Sequence, residues 1–245
     1  MSGERSGRKW IVWLVAVLAL LGGLVLADRI AARVAAHEIS KRLGEHQPFT
    51  TPPDVTIGGF PFFTQALRGK YSDIAVSGEH VNVSTRAGEH ISDLSFSANL
   101  RGVHLPLSDA LGGHVEQLPV DKIDGKLTVP FDQLDKLANK NVTFGHVGSD
   151  IVVTGTVTLP ILGEVTASAV GTFTYVDSRL RVDLKSARLL GTPLPADLVE
   201  NVINGLTPSL DVPTLPYRLQ ITHVGASDAG VTFSGVAEDV VLITS

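Results

Sequence analysis

The sequence predicts an α+β fold dominated by antiparallel sheet, and three observations carry that expectation. An uncharged apolar run opens the chain, an alanine-rich helical segment follows it, and from Val55 onward the hydrophobic period changes to two. Many strands against few helices is the pattern of a large sheet with helices set to one side of it.

The apolar run, Trp10 to Ala27, has 18 residues. At 1.5 Å per helical residue that is about 27 Å, close to the thickness of a hydrocarbon core. Arg5, Arg8 and Lys9 precede it. Basic residues are retained on the cytoplasmic side, so residues 1–9 are expected inside, 10–27 across the membrane and 28–245 outside as a single domain. A cleaved signal peptide is the rival reading. The run is long for one, and Leu24-Val25-Leu26-Ala27 offers no clean small-x-small cleavage site, so a retained signal-anchor is preferred. Both readings export the domain.

Asp28 to Leu43 reads as a further helix. Ala31, Ala32, Ala35 and Ala36 have high helix propensity, Ile30, Val34, Ile39 and Leu43 form an apolar stripe, and Gly44 is a plausible stop. The segment is either a stalk or a helix packed on the outer domain. Gln47 to Pro53 comes next as a proline-rich loop.

The strands are then placed by alternation. Leu94, Phe96, Ala98 and Leu100 share one face, as do Ile151, Val153, Val157 and Leu159, with Thr154, Thr156 and Thr158 opposite. Val165, Ala167, Ala169, Phe173 and Tyr175 repeat the pattern, as do Leu180, Val182 and Leu184, and Leu215, Tyr217, Leu219 and Ile221. Each series fits an antiparallel strand with one buried and one wet face. Their length suits a strongly curved sheet, and the absence of a long linker predicts one continuous sheet. Short helices are expected after Pro106 (Leu107, Ala110, Leu111), after Pro130 (Phe131, Leu134, Leu137) and over 196–205. The first two look alike, a weak internal repeat.

Charge and motif narrow the function. Residues 1–27 hold three of the 20 basic and one of the 25 acidic side chains, so the rest carries 17 against 24. A nucleic-acid partner needs a basic face, and none is visible. There is no nucleophile elbow, phosphate loop or metalloprotease helix, and no two of the eight histidines sit at i,i+2 or i,i+4. No catalytic residue, cofactor or metal is therefore expected, and the chain is read as a binding protein and not an enzyme. The chain has no cysteine, which excludes disulfides and a lipoprotein anchor.

One segment stands apart. Ile57-Gly58-Gly59-Phe60-Pro61-Phe62-Phe63 places three of nine phenylalanines within four residues of a turn-prone backbone. They cannot all share one strand face. The segment is either a core-anchoring turn or an apolar wall for a greasy ligand. On the second reading Phe60, Phe62, Phe63, Leu67 and Tyr71 contact lipid, and Arg68 and Lys70 meet its phosphate.

The same segment, with the Ala27-Asp28-Arg29-Ile30-Ala31-Ala32-Arg33-Val34 helix and the C-terminal stretches Leu215-Pro216-Tyr217-Arg218-Leu219 and Gly230-Val231-Thr232-Phe233-Ser234-Gly235, resembles the LmeA-like phospholipid-binding proteins of actinobacterial envelopes. The resemblance runs through nearly the whole chain, and its most specific part is Gly-Phe-Pro-Phe. It implies a periplasmic or envelope location, binding of anionic phospholipids such as phosphoinositides, and a role in envelope lipid or lipoglycan metabolism. It also implies a curled sheet wrapped on a long N-terminal helix, as in tubular lipid-binding proteins. The alternatives are a structural or partner-binding envelope domain with a filled core, and, more remotely, a glycan-processing enzyme.

Overall fold

A computed structural model describes residues 5–44, 51–84, 90–106, 108–109, 117–138, 141–159, 163–176, 179–189, 192–194, 196–207 and 219–243. The chain begins with one unbroken helix, α1 (Arg5–Gly44), of 40 residues. Nothing inside it stops a helix: Gly22 and Gly23 are its only interior glycines past Gly7, and it has no proline. The apolar run and the alanine-rich segment are therefore one rod, about 60 Å long at the helical rise. Gly44 ends it, as its position in the sequence predicts.

Antiparallel strands make up most of the rest, so the α+β class holds. The expectation of one continuous sheet is corrected to two. The first has six strands in the order β1-β2-β3-β4-β11-β10, comprising β1 (Asp54–Ile57), β2 (Lys70–Ser84), β3 (His90–His104), β4 (Gln117–Val129), β10 (Gln220–Ser227) and β11 (Gly230–Ile243). The second has five, in sequence order: β5 (Val142–Val147), β6 (Asp150–Leu159), β7 (Gly163–Val176), β8 (Arg179–Leu189) and β9 (Thr192–Pro193). The break falls where β4 meets Pro130. Proline has no N–H to continue a ladder, and here it stands at the N-cap of a short helix, α3 (Phe131–Leu137). A seven-residue helix, α2 (Phe62–Arg68), precedes β2, and α4 (Ala196–Leu206) lies against β6, β7 and β8. The sequence places α3 and α4 within a residue or two; the expected helix at Leu107, Ala110 and Leu111 and the strand start over 215–218 lie outside the described residues.

The strands of the first sheet are long and bulged. Register shifts between Gly78 and Val81 and between Ile221 and His223, with positive φ at His80, Asp93 and Gly102, mark where they bend. One face of this sheet is largely polar: Ser77, Ser97, Lys126 and Ser234 lie side by side across β2, β3, β4 and β11. The opposite face is apolar and serves two cores. At one end Ile74, Val103, Val120, Ile123, Ala237 and Val240 pack with Ala32 and Ala36 of α1 and with Phe62 and Ala66 of α2. At the other end Val81, Leu94, Val129, Val231 and Phe233 pack with the second sheet, α3 and α4, around Ile151, Val153, Leu159, Val202 and Leu206. The same strands thus reach both cores, and no linker separates them.

The helix 28–43 lies against the sheet, and the far half of the stripe the sequence suggests takes part, Ile39 and Leu43 packing on the core. Ile30 and Val34 are exposed, while Ala32 and Ala36 are buried against Val55 and Ile57 of β1. Alanine at the contact lets the helix backbone come close to the strands.

Candidate functional site

The phenylalanine-rich segment sits at the foot of the first sheet, against the turn of α1 that follows the apolar run. Its backbone requires glycine. Gly59 has φ +79, and a Cβ there would strike Ser72 Oγ and lie 2.7 Å from Gln65 Nε2. Gly69 has φ +63 and closes α2 as a left-handed C-cap, its N–H turned back to the Ala66 and Gln65 carbonyls. Gln65 ties the turn together, donating to the Gly58 carbonyl and accepting from Ser72 N–H at 2.8 Å. The Phe60–Pro61 peptide is cis.

Asp28, buried and one residue past the apolar run, fixes this segment to α1. Its two carboxylate oxygens accept the Phe62 and Phe63 backbone N–H groups, each at 3.0 Å. A helix leaves its first N–H groups without partners, and Asp28 supplies them from 34 residues upstream. Arg29 completes the clamp. It pairs with Asp28 at 2.8 Å, donates to the Gly59 carbonyl at 2.6 Å and lies over the Phe60 ring at 5.3 Å. None of this is visible in the local sequence of either partner.

The clamp sorts the nominated residues into two sets. Phe62 and Tyr71 point inward, with ring centroids 6.2 Å apart, and belong to the core shared with α1. Burial pushes the Tyr71 hydroxyl above the usual phenol range. Phe60, Phe63 and Leu67 point outward and are 61%, 50% and 77% exposed. Among the described residues, the large apolar side chains exposed beyond the Trp10–Leu26 run are these three, Ile30, Val34, Val147 and Val241. Five of the seven are therefore on α1 just past the run or on the segment clamped to it. Scattered exposed hydrophobics need no explanation; a cluster of them marks a contact surface.

The two nominated cations are also separated. Arg68 is exposed at the end of α2. Lys70 is engaged, 3.0 Å from Asp121, which His104 also meets at 2.9 Å. The Lys70 hydrogen bond, and after it that from His104, hold Asp121 below the usual carboxylate range. Sequence reasoning missed Asp28, Arg29 and the second basic residue facing the same way, Arg33.

Two concavities on the described surface lie against the first sheet. One, of about 640 Å³, lies beside the polar side of the first sheet and is lined by Ser77, Ser95, Ser97, Lys126 and Thr128 among others. The other, of about 450 Å³, runs between α1 and β1. Among the described residues no cluster of three or more His, Asp or Glu side chains has the arrangement of a metal site.

The model of the LmeA-like phospholipid-binding family matches residues 26–236. The chain belongs to that family. The match begins at the end of the apolar run and takes in the clamp, the phenylalanine segment, the second sheet and the first as far as the middle of β11, so the property the family is described by, phospholipid binding, attaches to the folded part of the chain. No curated protein and no solved structure matches the chain.

Proposed function

We propose that the protein binds phospholipid at the outer face of the cytoplasmic membrane, in the periplasmic or envelope space, and serves envelope lipid or lipoglycan metabolism without catalysing a reaction itself. Residues 10–27 span the membrane, 1–9 remain inside and 28–245 form the lipid-binding domain. Acyl chains rest on the apolar surface of Phe60, Phe63 and Leu67. Phe62 and Tyr71 support that surface from behind, and phosphoinositides are among the lipids taken.

The observation that carries this reading is the position of the exposed patch. A rigid helix with an apolar run leads directly into the residue that clamps the patch, so the patch stands at the level where the helix leaves the bilayer. In water an exposed acyl chain is costly, each buried CH₂ being worth about 0.8 kcal/mol, and a patch at the membrane boundary receives a chain without exposing it. Arg68, beside Leu67 at the end of α2, is near enough in sequence to the patch to meet a phosphate there; Lys70 serves that purpose only by leaving Asp121.

The test is solvent extraction of the purified full-length protein, followed by mass spectrometry of the extract. Phospholipid in stoichiometric amount is expected, together with its loss in the Phe63→Ser/Leu67→Ser double variant. A lipid-free protein that also takes up none from vesicles overturns the reading in favour of a structural domain filled by its own side chains.

A further inference from the structure

The concavity between α1 and the edge strand β1 is built unlike the rest of the domain. Arg29, Arg33 and His37 recur at intervals of four along α1, which puts them on one flank of the helix, facing Asp54 and Thr56 across the groove. From Arg29 to His37 the row extends about 12 Å at the helical rise. Arg33 and His37 have no hydrogen-bond or ion-pair partner among the described residues, and the Arg29 Nε is buried with its donor unmet. Asp28 balances Arg29 through its Nη2 at 2.8 Å, and among the described residues Asp54 is the one carboxylate lining the groove. Glu38, next to His37 in the chain, is paired with Arg42 at 3.0 Å.

We propose that this groove receives the phosphate-bearing headgroup of an anionic phospholipid. The inference rests on the phospholipid-binding reading and gives it a polar site. Arg29 joins the two parts: it touches Phe60 and Gly59 at the apolar patch and lines the lower end of the groove. A lipid with its chains at the patch therefore has its headgroup beside Arg29, with Arg33 and His37 next in the direction away from the membrane. The ligand must bring negative charge and several acceptor oxygens, because the groove offers a guanidinium, an imidazole and an unmet N–H against one carboxylate. At about 450 Å³ the space falls within the range of small-ligand sites. An acidic domain can thus hold an anionic lipid, since the basic side chains are concentrated where the headgroup arrives.

The experiment uses the full-length protein in neutral maltoside detergent, titrated separately with dihexanoyl phosphatidylglycerol, dihexanoyl phosphatidylcholine and inorganic phosphate. The wild type is expected to favour phosphatidylglycerol over phosphatidylcholine by about tenfold. The Arg33→Gln/His37→Gln variant loses that preference, Arg33→Lys keeps most of it, and Lys185→Gln, an exposed charge removed from β8 in the second sheet, leaves it intact. Equal binding of the two lipids by the wild type, or an unchanged preference in the double variant, overturns the headgroup site while leaving phospholipid binding standing. Inorganic phosphate that binds as tightly as phosphatidylglycerol assigns the groove to free phosphate and overturns the lipid assignment. Binding of neither lipid overturns the phospholipid reading together with this one.

Discussion

The two ends of the first sheet use the same strands to do different work. At the end away from α1 the apolar face is covered by a second sheet and two helices, and the core is made of large branched side chains, with Val153, Val202, Leu206 and Val231 fully buried. At the α1 end the cover is α1 and the seven-residue α2, α1 meets β1 through Ala32 and Ala36, and large side chains are left outside at Phe60, Phe63 and Leu67. A core that exists for stability hides its apolar surface. The α1 end stays partly uncovered beside an apolar helix, as the proposed contact with lipid requires.

The largest effect that tests this contrast is in the distal core. Leu206→Ala removes a fully buried side chain whose Cδ2 reaches toward Gly155, and it should cost about 2–5 kcal/mol of unfolding free energy in urea. Phe62→Ala comes next, at about 3 kcal/mol or less. The ring is buried, but its core is thin and α2 can settle into the space. The outward neighbours should behave oppositely. Phe60→Ala, Phe63→Ala and Leu67→Ala should each shift stability by about 0.5 kcal/mol or less and weaken lipid binding, read by the lipid recovered with the purified protein. If Phe63→Ala destabilises as much as Phe62→Ala, the two ends do not differ as argued.

Asp28→Asn keeps the size of the clamp but removes the charge and one of its two acceptor oxygens. Amide exchange at Phe62 and Phe63 should quicken while that of Val153 in the distal core is unchanged, because the clamp lies wholly at one end. The smallest expected effect concerns Asp121, whose carboxyl is held low in the folded state by Lys70 and then His104. A depressed folded pKa stabilises the fold above the ordinary carboxylate value and loses that contribution as the pH falls through the lowered one. Melting temperatures of the wild type and Asp121→Asn should therefore converge below about pH 4. The difference above it is small, because Asp121 and Lys70 are each about half exposed.

Much of the fold is legible in the order of residues. Alternation of residues such as Ile151, Val153, Val157 and Leu159 depends on the two-residue repeat of a strand, and the structure returns each of them to one buried face of β6. The division into two sheets is not legible in the same way, since every strand alternates alike whichever neighbour it joins. Pro130 is the one local clue, and its meaning depends on whether β5 continues the first ladder or starts another.

For the candidate site the sequence supplied the crowding of Phe60, Phe62 and Phe63 and the argument that they cannot share a face. It also supplied the apolar run, the alanine-rich helix and the acidic balance of residues 28–245, because composition and short-range periodicity are properties of neighbouring residues. Which phenylalanine turns inward was decided by tertiary structure. Asp28 binds the N–H groups of Phe62 and Phe63 from a distant point in the chain, and that bond sets the orientation of α2 and hence the exposure of every side chain on it. Tertiary structure likewise removed Lys70 to Asp121, 51 residues away, and brought Arg29, Arg33 and His37 to the edge of β1. A hydrogen bond or ion pair is chosen by three-dimensional distance, and the residues that make these contacts carry no mark of their partners in the sequence around them.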